Sequence, residues 1–355
     1  MSPPLRILVA TDAWRPQING VVRTYERLAD EVRAFGTELI FLTPEGQPGL
    51  PLPSYPEIQL ALIGRRTVEA AFERSEASYL HIATEGPIGL AARRFACDRR
   101  LPFTTSFHTR FADYLSARLP MPVTWGYAAQ RWFHNAGAGM LVATPSLAEE
   151  LAHLDFRNIL PWTRGVDTEL FRPRPDRLFG SDPVALYVGR VAVEKNLEAF
   201  LDLPLAVTKV VVGGGPALET LRAQYPKVVF TGPQVGEALA QHYASADVFV
   251  FPSLTDTFGV VLLEAMASGV PVAAFPVTGP LDVVADGVSG VLSDDLGDAI
   301  RRALLLDRGA VRAHALGYSW QRAATMFLQG VVAANTRSGR VIPAGDALLS
   351  ALGEH

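Results

Sequence analysis

Short apolar runs alternate with segments of helix length along most of this chain, and this alternation limits the possible folds strongly. Runs such as Ile7–Ala10 and Tyr79–Ile82 span a few residues, which suits a strand but is too short for a buried helix. Segments such as Ile88–Arg99 stand between such runs and have the length of a helix. This alternation is typical of a parallel sheet with helices on both faces. We therefore predict an α/β fold.

The alternation pauses once and then resumes. The pause covers Trp162–Arg177, which is rich in Arg, Pro and Gly and has no clear periodicity. A length of 355 residues favours roughly two domains. We predict two tandem Rossmann-like domains with a cleft between them, followed by a helix and a tail. Their predicted bounds are 1–165 for the N-terminal domain, 166–318 for the C-terminal domain, 319–335 for the helix and 336–355 for the tail.

The predicted strands direct the search for a site. They lie at residues 7–10, 39–42, 79–82, 103–106, 140–143, 185–188, 209–212, 228–230, 248–251 and 270–274. Ser146 is the predicted N-cap of a helix over residues 147–154. In open α/β sheets, ligands bind beyond the carboxyl ends of the strands. We therefore look for candidate site residues directly after each strand.

Composition excludes several classes of protein. An apolar fraction of 49% with 19% charged residues excludes a disordered chain, and the net charge of -4 argues against a dedicated nucleic-acid binder. Cys97 is the one cysteine, which excludes a disulfide framework and a cysteine zinc site. The chain lacks an H-E-x-x-H motif, a long apolar run and a signal-like start. We expect a cytoplasmic protein that can lie on the inner face of the cell membrane, and no metal site.

Two cations follow the strand at residues 185–188. That strand ends at Gly189, and Arg190 and Lys195 come just beyond it. Two fixed cations at the carboxyl end of a strand suit a diphosphate, because they offset its charge and stabilise it as it leaves. The alternative is a pair of solvated surface cations.

A second motif follows the strand at residues 248–251. Asp256 comes before a predicted helix at residues 258–267, and Glu264 lies within that helix. Gly259 lets a ligand approach the backbone, and the first amides of a helix bind phosphate. The two carboxylates suit hydrogen bonds from sugar hydroxyls. The alternative for Glu264 is a helix residue whose hydrogen bonds are satisfied within the protein.

Three further signals are weaker. Gly213–Gly215 follows a strand but lacks the G-x-G-x-x-G spacing of a dinucleotide loop, so a tight turn that lines the cleft is the better interpretation. Asn19 and Gly20 lie in the first strand-to-helix loop, where Asn19 suits an N-cap and the turn can place backbone against a substrate. His108 follows the strand at residues 103–106, although a lone histidine is more often structural.

Taken together, these motifs resemble a retaining, nucleotide-sugar-dependent glycosyltransferase of the GT-B fold, in the family numbered four. The resemblance covers nearly the whole chain. The residues that carry it are Gly189-Arg190, Glu194-Lys195-Asn196, the block from Asp256 to Val272, the stretch Ala246–Ser253 before it, and Arg164-Gly165-Val166-Asp167 followed by Phe171.

The resemblance implies a role for each site residue. Arg190 and Lys195 would hold the diphosphate of a UDP- or GDP-sugar, and Glu264 would bind the ribose. Asp256 stands at the first acid of the family's E-x7-E motif, where Glu is usual, and would contact the sugar near His108. The remaining donor-binding residues would act through backbone or close approach, and they are Gly20, Gly189, Gly214, Phe230, Phe258, Gly259 and Val260.

The resemblance also implies a mechanism and a path of the chain. A hexosyl group would be transferred with retention and without a metal, by front-face attack in which the diphosphate assists deprotonation. We do not assign Asp256 as a covalent nucleophile. The final helix from Trp320 would cross back onto the N-terminal domain, which would bind the acceptor.

The acceptor is the least constrained part of the prediction. Residues 88–133 hold seven arginines, two acidic residues and several aromatic rings, a composition that suits an anionic membrane surface. The alternative is core aromatics beside a solvated basic face. The Arg164–Asp167 form of the linker and the block Phe275–Pro280 are most similar to members that glycosylate lipids such as diacylglycerol or phosphatidylinositol. A soluble acceptor remains the alternative to a lipid.

Other classes of function make different predictions. A nucleotide-sugar 2-epimerase shares the fold but would not need the two cations and two carboxylates in this form. An NAD-dependent oxidoreductase would carry a dinucleotide fingerprint, which Gly213–Gly215 does not match. A sugar-binding module without turnover would bind nucleotide yet transfer nothing.

Overall fold

The computed structural model describes residues 4–16, 20–52, 55–112, 122–254 and 256–339 of the chain. The chain divides into two units. The first consists of Met1–Arg164 together with Trp320–His355, and the second consists of Gly165–Ser319. Each unit contains a six-stranded parallel sheet with helices packed against it, which is the α/β architecture that the alternating pattern predicts.

The sheet of the first unit has the strand order β2-β1-β5-β6-β7-β8. Its strands are β1 Leu5–Ala10, β2 Thr37–Leu42, β5 Tyr79–Ile82, β6 Phe103–Phe107, β7 Gly139–Val142 and β8 Ile159–Pro161, and β3 Gly49–Leu52 pairs with β4 Tyr55–Ala61 as a separate antiparallel hairpin. Its helices are α1 Gly20–Glu31, α2 Arg65–Arg74, α3 Pro87–Arg99, α4 Val123–His134 and α5 Pro145–His153, and Val32–Phe35 forms a 3-10 turn.

The sheet of the second unit has the order β11-β10-β9-β12-β13-β14. Its strands are β9 Val184–Val188, β10 Thr208–Val212, β11 Val229–Gly232, β12 Val248–Phe251, β13 Val272–Ala274 and β14 Gly290–Leu292. Its helices are α6 Glu198–Leu201, α7 Leu218–Gln224, α8 Gly236–Ala244, α9 Val260–Ala267, α10 Pro280–Val283, α11 Leu296–Ala303 and α12 Arg308–Ala315, with a 3-10 turn at Val193–Lys195. Strands β9 and β12 are hydrogen-bonded neighbours, so the loops that follow them lie side by side.

The last helix, α13 Trp320–Arg337, belongs to the first unit. Phe327 and Val331 on this helix are fully buried in the same apolar cluster as Tyr25 and Trp162. The Trp162 indole Nε1 donates a hydrogen bond of 3.0 Å to the carbonyl of Ala323. The core of the first unit is therefore completed by helix α13, which follows the second unit in the sequence.

Several element boundaries differ from those predicted from the sequence. Thr144, and not Ser146, caps helix α5: its Oγ1 accepts from the amide of Leu147 at 3.4 Å, and Pro145 takes the first helical position. Proline suits that position because its missing N–H has no acceptor there. Helix α13 extends to Arg337, and residues 340–355 of the predicted tail lie outside the described residues. Within the described ranges, no helix combines the length and apolar character needed to cross a bilayer.

Candidate functional site

The loops after β9 and β12 are joined by an ion pair. The Nζ of Lys195 lies 2.9 Å from Oδ2 of Asp256, and each side chain retains about one fifth of its exposure. Asn196, in the left-handed region at φ +54°, donates from Nδ2 to the carbonyl of Pro252 at 3.1 Å. The sequence motifs place Lys195 and Asp256 in different roles, whereas the structure brings them into direct contact.

Asp256 is held in its ionised form. Burial raises the pKa of this carboxyl, but the charge of Lys195 and hydrogen bonds from the backbone outweigh burial and lower the pKa below its ordinary value of 3.8. The amide of Thr257 donates to Asp256 Oδ1 at 2.9 Å. The carboxylate therefore fixes both the ammonium group of Lys195 and the backbone that leads into α9.

Arg190 lies in the loop directly after β9, and its side chain is exposed. Its backbone is anchored, because the phenol of Tyr187 donates to the carbonyl of Arg190 at 2.8 Å. Arg190 and Lys195 thus follow the same strand, one with an exposed guanidinium and one with a half-buried ammonium group. This arrangement can bind a polyanion at the carboxyl end of the sheet.

Glu264 is buried within α9, with 5% of its surface exposed. The phenol of Tyr243, on α8, donates a hydrogen bond of 2.7 Å to Oε2 of Glu264. This contact matches the interpretation of Glu264 as a helix residue satisfied within the protein. It also fixes the direction of the carboxylate, and the ribose role stays a prediction.

Helix α9 begins two residues later than the sequence predicts. Phe258 is buried, and its amide lies 3.5 Å from Asp256 Oδ1, outside the helix. Gly259 takes a left-handed conformation at φ +81°, which favours glycine, and the helix starts at Val260. In general, the first amides of a helix have few acceptors within the helix and can bind an anion.

The glycines after β9 and β10 let two loops pack closely. A Cβ at Gly213 would stand 1.8 Å from the carbonyl oxygen of Gly189, so no side chain fits there. The carbonyl of Gly214 accepts from the amide of Val191 at 2.9 Å. These contacts give the triple glycine a packing role, as the tight-turn interpretation expects. On β11, the side chain of Phe230 packs against the core.

In the first unit, Gly20 begins helix α1, and its carbonyl accepts from the hydroxyl of Thr24 at 2.6 Å. A Cβ added at Gly20 would meet no atom within 4 Å, so the helix start borders open space. The preceding loop residues, including Asn19, lie outside the described residues. The role of Asn19 as the N-cap therefore stays a prediction.

His108 is half-buried just after β6 and contacts three other side chains. Its Nδ1 lies 3.1 Å from Nη2 of Arg164, and its Nε2 lies 3.3 Å from the phenol of Tyr25. Its ring meets that of Trp162 edge to face. Burial, together with the charge of Arg164, holds the pKa of His108 well below its ordinary value. The imidazole is therefore neutral at neutral pH.

The network around His108 extends into the core of the first unit, where the sequence motifs do not point. The phenol of Tyr25 lies 2.8 Å from Nε2 of His81, and the hydroxyl of Ser106 lies 3.0 Å from the same nitrogen. Burial lowers the pKa of His81 to about 3. The sequence identifies Arg164 only as part of a family motif, and its contact with His108 depends on the fold, because the two residues are 56 positions apart.

The rings of the basic and aromatic segment at residues 88–133 divide between the core and the surface. Its buried rings belong to the core and are Phe95, Phe103, Phe107 and Phe133. Trp125 and Trp132 on α4 are exposed by 67% and 58%. The guanidinium of Arg93 stacks 3.6 Å from the ring centre of Trp132. Tyr114 and Arg118 lie outside the described residues.

Within the residues that the structure describes, no three His, Cys, Asp or Glu side chains come together as a metal site would require. The charged groups in the loops after β9 and β12 include the cations Arg190 and Lys195 and the carboxylates of Glu194 and Asp256. Cations and helix amides of this kind bind phosphate oxygens.

Comparison with known proteins gives these features a context. The family described as Glycosyltransferase Family 4 matches residues 18–170, and the one described as Glycosyl transferases group 1 matches residues 182–306. A GDP-mannose-dependent alpha-mannosyltransferase of Mycolicibacterium smegmatis is 30% identical over 82% of this chain and 84% of its own length. An alpha-monoglucosyldiacylglycerol synthase of Streptococcus pneumoniae is 24% identical over 85% of this chain and 78% of its own length.

The fold also matches solved structures. The structure of a sucrose-phosphate synthase from Thermosynechococcus elongatus superposes with a TM-score of 0.75 at 20% identity, covering 92% of this chain and 98% of that one. Two parallel-sheet α/β units with these matches define a GT-B glycosyltransferase, an enzyme that uses a nucleotide sugar as donor. The chain belongs to glycosyltransferase family 4.

Proposed function

We propose that this enzyme transfers a hexosyl group from a UDP- or GDP-sugar to a membrane lipid such as diacylglycerol, with retention of configuration. The observation that carries the donor half of the proposal is the Lys195–Asp256 ion pair beside Arg190 at the carboxyl ends of β9 and β12. A cation held at this end of the sheet supports a role in stabilising a leaving diphosphate. The acceptor half rests on the exposed surface of α4.

In the proposed reaction, the bond between the anomeric carbon and the diphosphate oxygen breaks while the acceptor oxygen bonds to that carbon on the same face. The acceptor hydroxyl gives its proton to the departing diphosphate. Arg190 and Lys195 stabilise the charge on that diphosphate, so the proposal requires no metal. Asp256 contacts the sugar and orients Lys195. An ion-paired carboxylate is a poor nucleophile, which favours this front-face route over a covalent intermediate.

The rest of the donor is assigned by the same reasoning. Glu264, whose direction is fixed by Tyr243, accepts hydrogen bonds from the ribose hydroxyls. The backbone at Phe258, Gly259 and Val260 meets phosphate and sugar oxygens. The donor also passes close to the backbone of Gly20, Gly189 and Gly214 and meets the backbone of Phe230. His108 contacts the sugar of the donor.

The surface of α4 supports a lipid acceptor. Trp125 and Trp132 are exposed while Phe133 and His134 on the same helix are buried, so α4 presents rings outward. Arg93, stacked on Trp132, adds a positive charge beside the ring. Indole rings flanked by arginine suit the interface of an anionic bilayer. The similarity to an enzyme named for monoglucosyldiacylglycerol is consistent with this acceptor.

The test combines donors with membranes. Purified enzyme is incubated with UDP- and GDP-linked glucose, galactose, mannose and glucuronic acid, with and without anionic vesicles that contain diacylglycerol. We expect one donor to give a glycolipid whose anomeric proton coupling matches that of the donor. Nucleotide binding with transfer to a soluble sugar alone would replace the lipid acceptor by a soluble one. An epimerised donor as the main product would contradict glycosyl transfer.

Variants of α4 test the membrane surface separately. Replacing Trp125 and Trp132 by alanine removes two exposed rings, so we expect vesicle co-sedimentation to fall several-fold. Leu305, 85% exposed in the second unit, provides the matched control, and L305A should bind vesicles as the unaltered protein does. Equal vesicle binding by all three proteins would remove α4 from the acceptor proposal.

A further inference from the structure

Arg164 is a buried cation whose partners are all uncharged. It follows β8 and has only 5% of its surface exposed. Its Nη1 donates to the carbonyl of Thr163 at 3.1 Å, and its Nη2 donates to Nδ1 of His108 at 3.1 Å. Its guanidinium carbon lies 3.9 Å from the ring centre of Trp162. No carboxylate in the described part of the chain bonds to it.

Arg110, another arginine of the same unit with little exposure, shows the more usual arrangement with a counter-charge. It forms two hydrogen bonds of 2.6 Å with the carboxylate of Glu150. A buried charge without a counter-charge costs several kcal/mol after relaxation, because the interior solvates it poorly. Burial lowers the pKa of Arg164 to about 10, which leaves the group protonated at neutral pH. The uncompensated charge therefore persists in the protein without ligand.

The neighbours of Arg164 do not supply the missing negative charge. An arginine only donates, so Nδ1 of His108 accepts and the neutral imidazole carries its proton on Nε2. That nitrogen faces the phenol of Tyr25 at 3.3 Å. Burial raises the pKa of Tyr25, which keeps the phenol neutral. The cluster of Arg164, His108, Tyr25 and Trp162 thus has one positive charge.

We propose that Arg164 binds an oxyanion of a substrate: a carboxylate, a sulfonate or a phosphate. This inference rests on the proposed function, because it places the anion beside the histidine assigned to the sugar. The Nε–H of Arg164 bonds to no described residue, and a guanidinium offers planar donors that match the oxygens of such groups. The oxyanion supplies the counter-charge that the protein lacks.

Three parts of the substrates carry this chemistry. The donor contains a diphosphate, its sugar can carry an acid group, and the lipid headgroup can carry a phosphate. For each source, two ligands can be compared that differ in the acid group, and the loss of Arg164 should weaken the ligand that carries this group more than the other. The position of Arg164 at the end of β8 agrees with the general placement of ligands in such sheets.

The first experiment needs no turnover. Thermal unfolding of the full chain is followed as inorganic phosphate is added, for the unaltered protein and for R164Q, R164M and R157Q. Arg157 is an exposed arginine of the same unit and serves as the control. We expect phosphate to raise the midpoint clearly more in the unaltered protein and R157Q than in R164Q and R164M. Equal rises in all four proteins would overturn the proposal.

R164M also serves as a control for loss of phosphate binding that results from unfolding of the variant. Replacing buried ion pairs by apolar residues of similar volume is often neutral or stabilising, because the desolvation cost of the charges is removed, and the same reasoning applies to a buried cation without a counter-charge. We therefore expect R164M to be at least as stable as the unaltered protein in buffer without phosphate. A large loss of stability in R164M would mean that the cation is satisfied within the protein, which contradicts an open anion site.

The second experiment finds the source of the anion. R164M is compared with the unaltered enzyme on UDP against UMP, on UDP-glucuronic acid against UDP-glucose, and on vesicles with phosphatidylinositol against diacylglycerol. We expect the acid-bearing member of one pair to lose about 10- to 100-fold more than its partner, as for a charge-assisted hydrogen bond. Equal losses within every pair would overturn the proposal. If the unaltered enzyme transfers no sugar but phosphate raises its unfolding midpoint as expected, the result would instead count against the proposed function.

Discussion

At the scale of single residues, the Lys195–Asp256 pair shows how the site is held ready. Lysine is a flexible point charge, and a carboxylate at 2.9 Å restricts it to one place before any ligand arrives. The sequence predicts both residues as site residues from their positions after strands. Their contact spans 61 residues and follows from the pairing of β9 with β12, which the sequence pattern leaves open.

Removing the ammonium group should slow transfer rather than unfold the enzyme. We expect K195A to lose about 2–4 kcal/mol of transition-state stabilisation, or about 30- to 900-fold in kcat, as for one preorganised electrostatic donor. The measurement is steady-state transfer with the donor found in the panel. K227A, at an exposed lysine of the same unit, should keep its kcat. A kcat of K195A near that of K227A would exclude the diphosphate role.

Asp256 should link stability to acid pH. Its pKa is lower in the folded protein than the ordinary 3.8, so the ionised form stabilises the fold above that pH. This contribution falls away as pH drops from about 4 through the folded pKa. We expect D256N to lose about 1–3 kcal/mol in the free energy of unfolding at pH 7 and less at pH 3. Urea unfolding at both values measures this, with the exposed Asp294 as D294N for comparison. A loss as large at pH 3 would contradict the linkage.

At the scale of elements, the loops after β9 and β10 act as one packed layer. The backbone of Gly189 approaches Gly213 so closely that no side chain fits at Gly213, and Arg190 follows directly in that backbone. The sequence predicts a turn at the triple glycine, since glycine clusters after strands mark turns. The contact between Gly189 and Gly213 depends on β9 and β10 being neighbours in the sheet, and strand order cannot be predicted from the local sequence.

A methyl group at Gly213 tests that packing. We expect G213A to destabilise the second unit by about 1–3 kcal/mol, because the new Cβ overlaps a carbonyl oxygen and the loop must shift. The free energy of unfolding is measured by calorimetry. G64A provides the control, since a Cβ at Gly64 meets no atom within 4 Å. Similar stability of the two variants would show that the loops are not closely packed.

The elements also show what a sequence pattern can and cannot predict. Strands such as Tyr79–Ile82 and Val248–Phe251 match their predicted bounds, because both are short, apolar and buried on both faces. Strands β8 and β14 were not predicted. They have three residues each and lie at sheet edges, and so short an apolar run does not stand out from the sequence around it. The network of Tyr25, His81 and Arg164 has no local pattern at all.

At the scale of the whole molecule, the polar network should make the first unit sensitive to acid. The pKa of His81 falls to about 3 on folding, whereas an unfolded histidine titrates near 6.5. The unfolded chain therefore binds more protons between these values, and stability falls as pH decreases from 6.5 toward 3. His108, whose pKa is also lowered, acts in the same direction.

The tryptophans allow this effect to be measured. All five belong to the first unit, so their fluorescence follows that unit alone. We expect the titration of His81 to lower the free energy of unfolding of this unit by roughly 2 kcal/mol between pH 6.5 and 4.5. H81N should show a weaker dependence on pH over the same interval. An identical slope in H81N would mean that His81 is not buried in neutral form.

The return of α13 to the first unit has a consequence during synthesis on the ribosome. The second unit is one continuous stretch, so its sheet can close as soon as Leu292 leaves the exit tunnel. The first unit, although begun earlier, waits for Phe327 and Val331 to fill its core. At about 5–20 residues per second, synthesis of the stretch from Arg164 to Val331 takes roughly 10–30 s, and the first unit stays incomplete during that time. The nascent chain is thus expected to fold its middle before its beginning, with an apolar surface that chaperones can hold in the meantime.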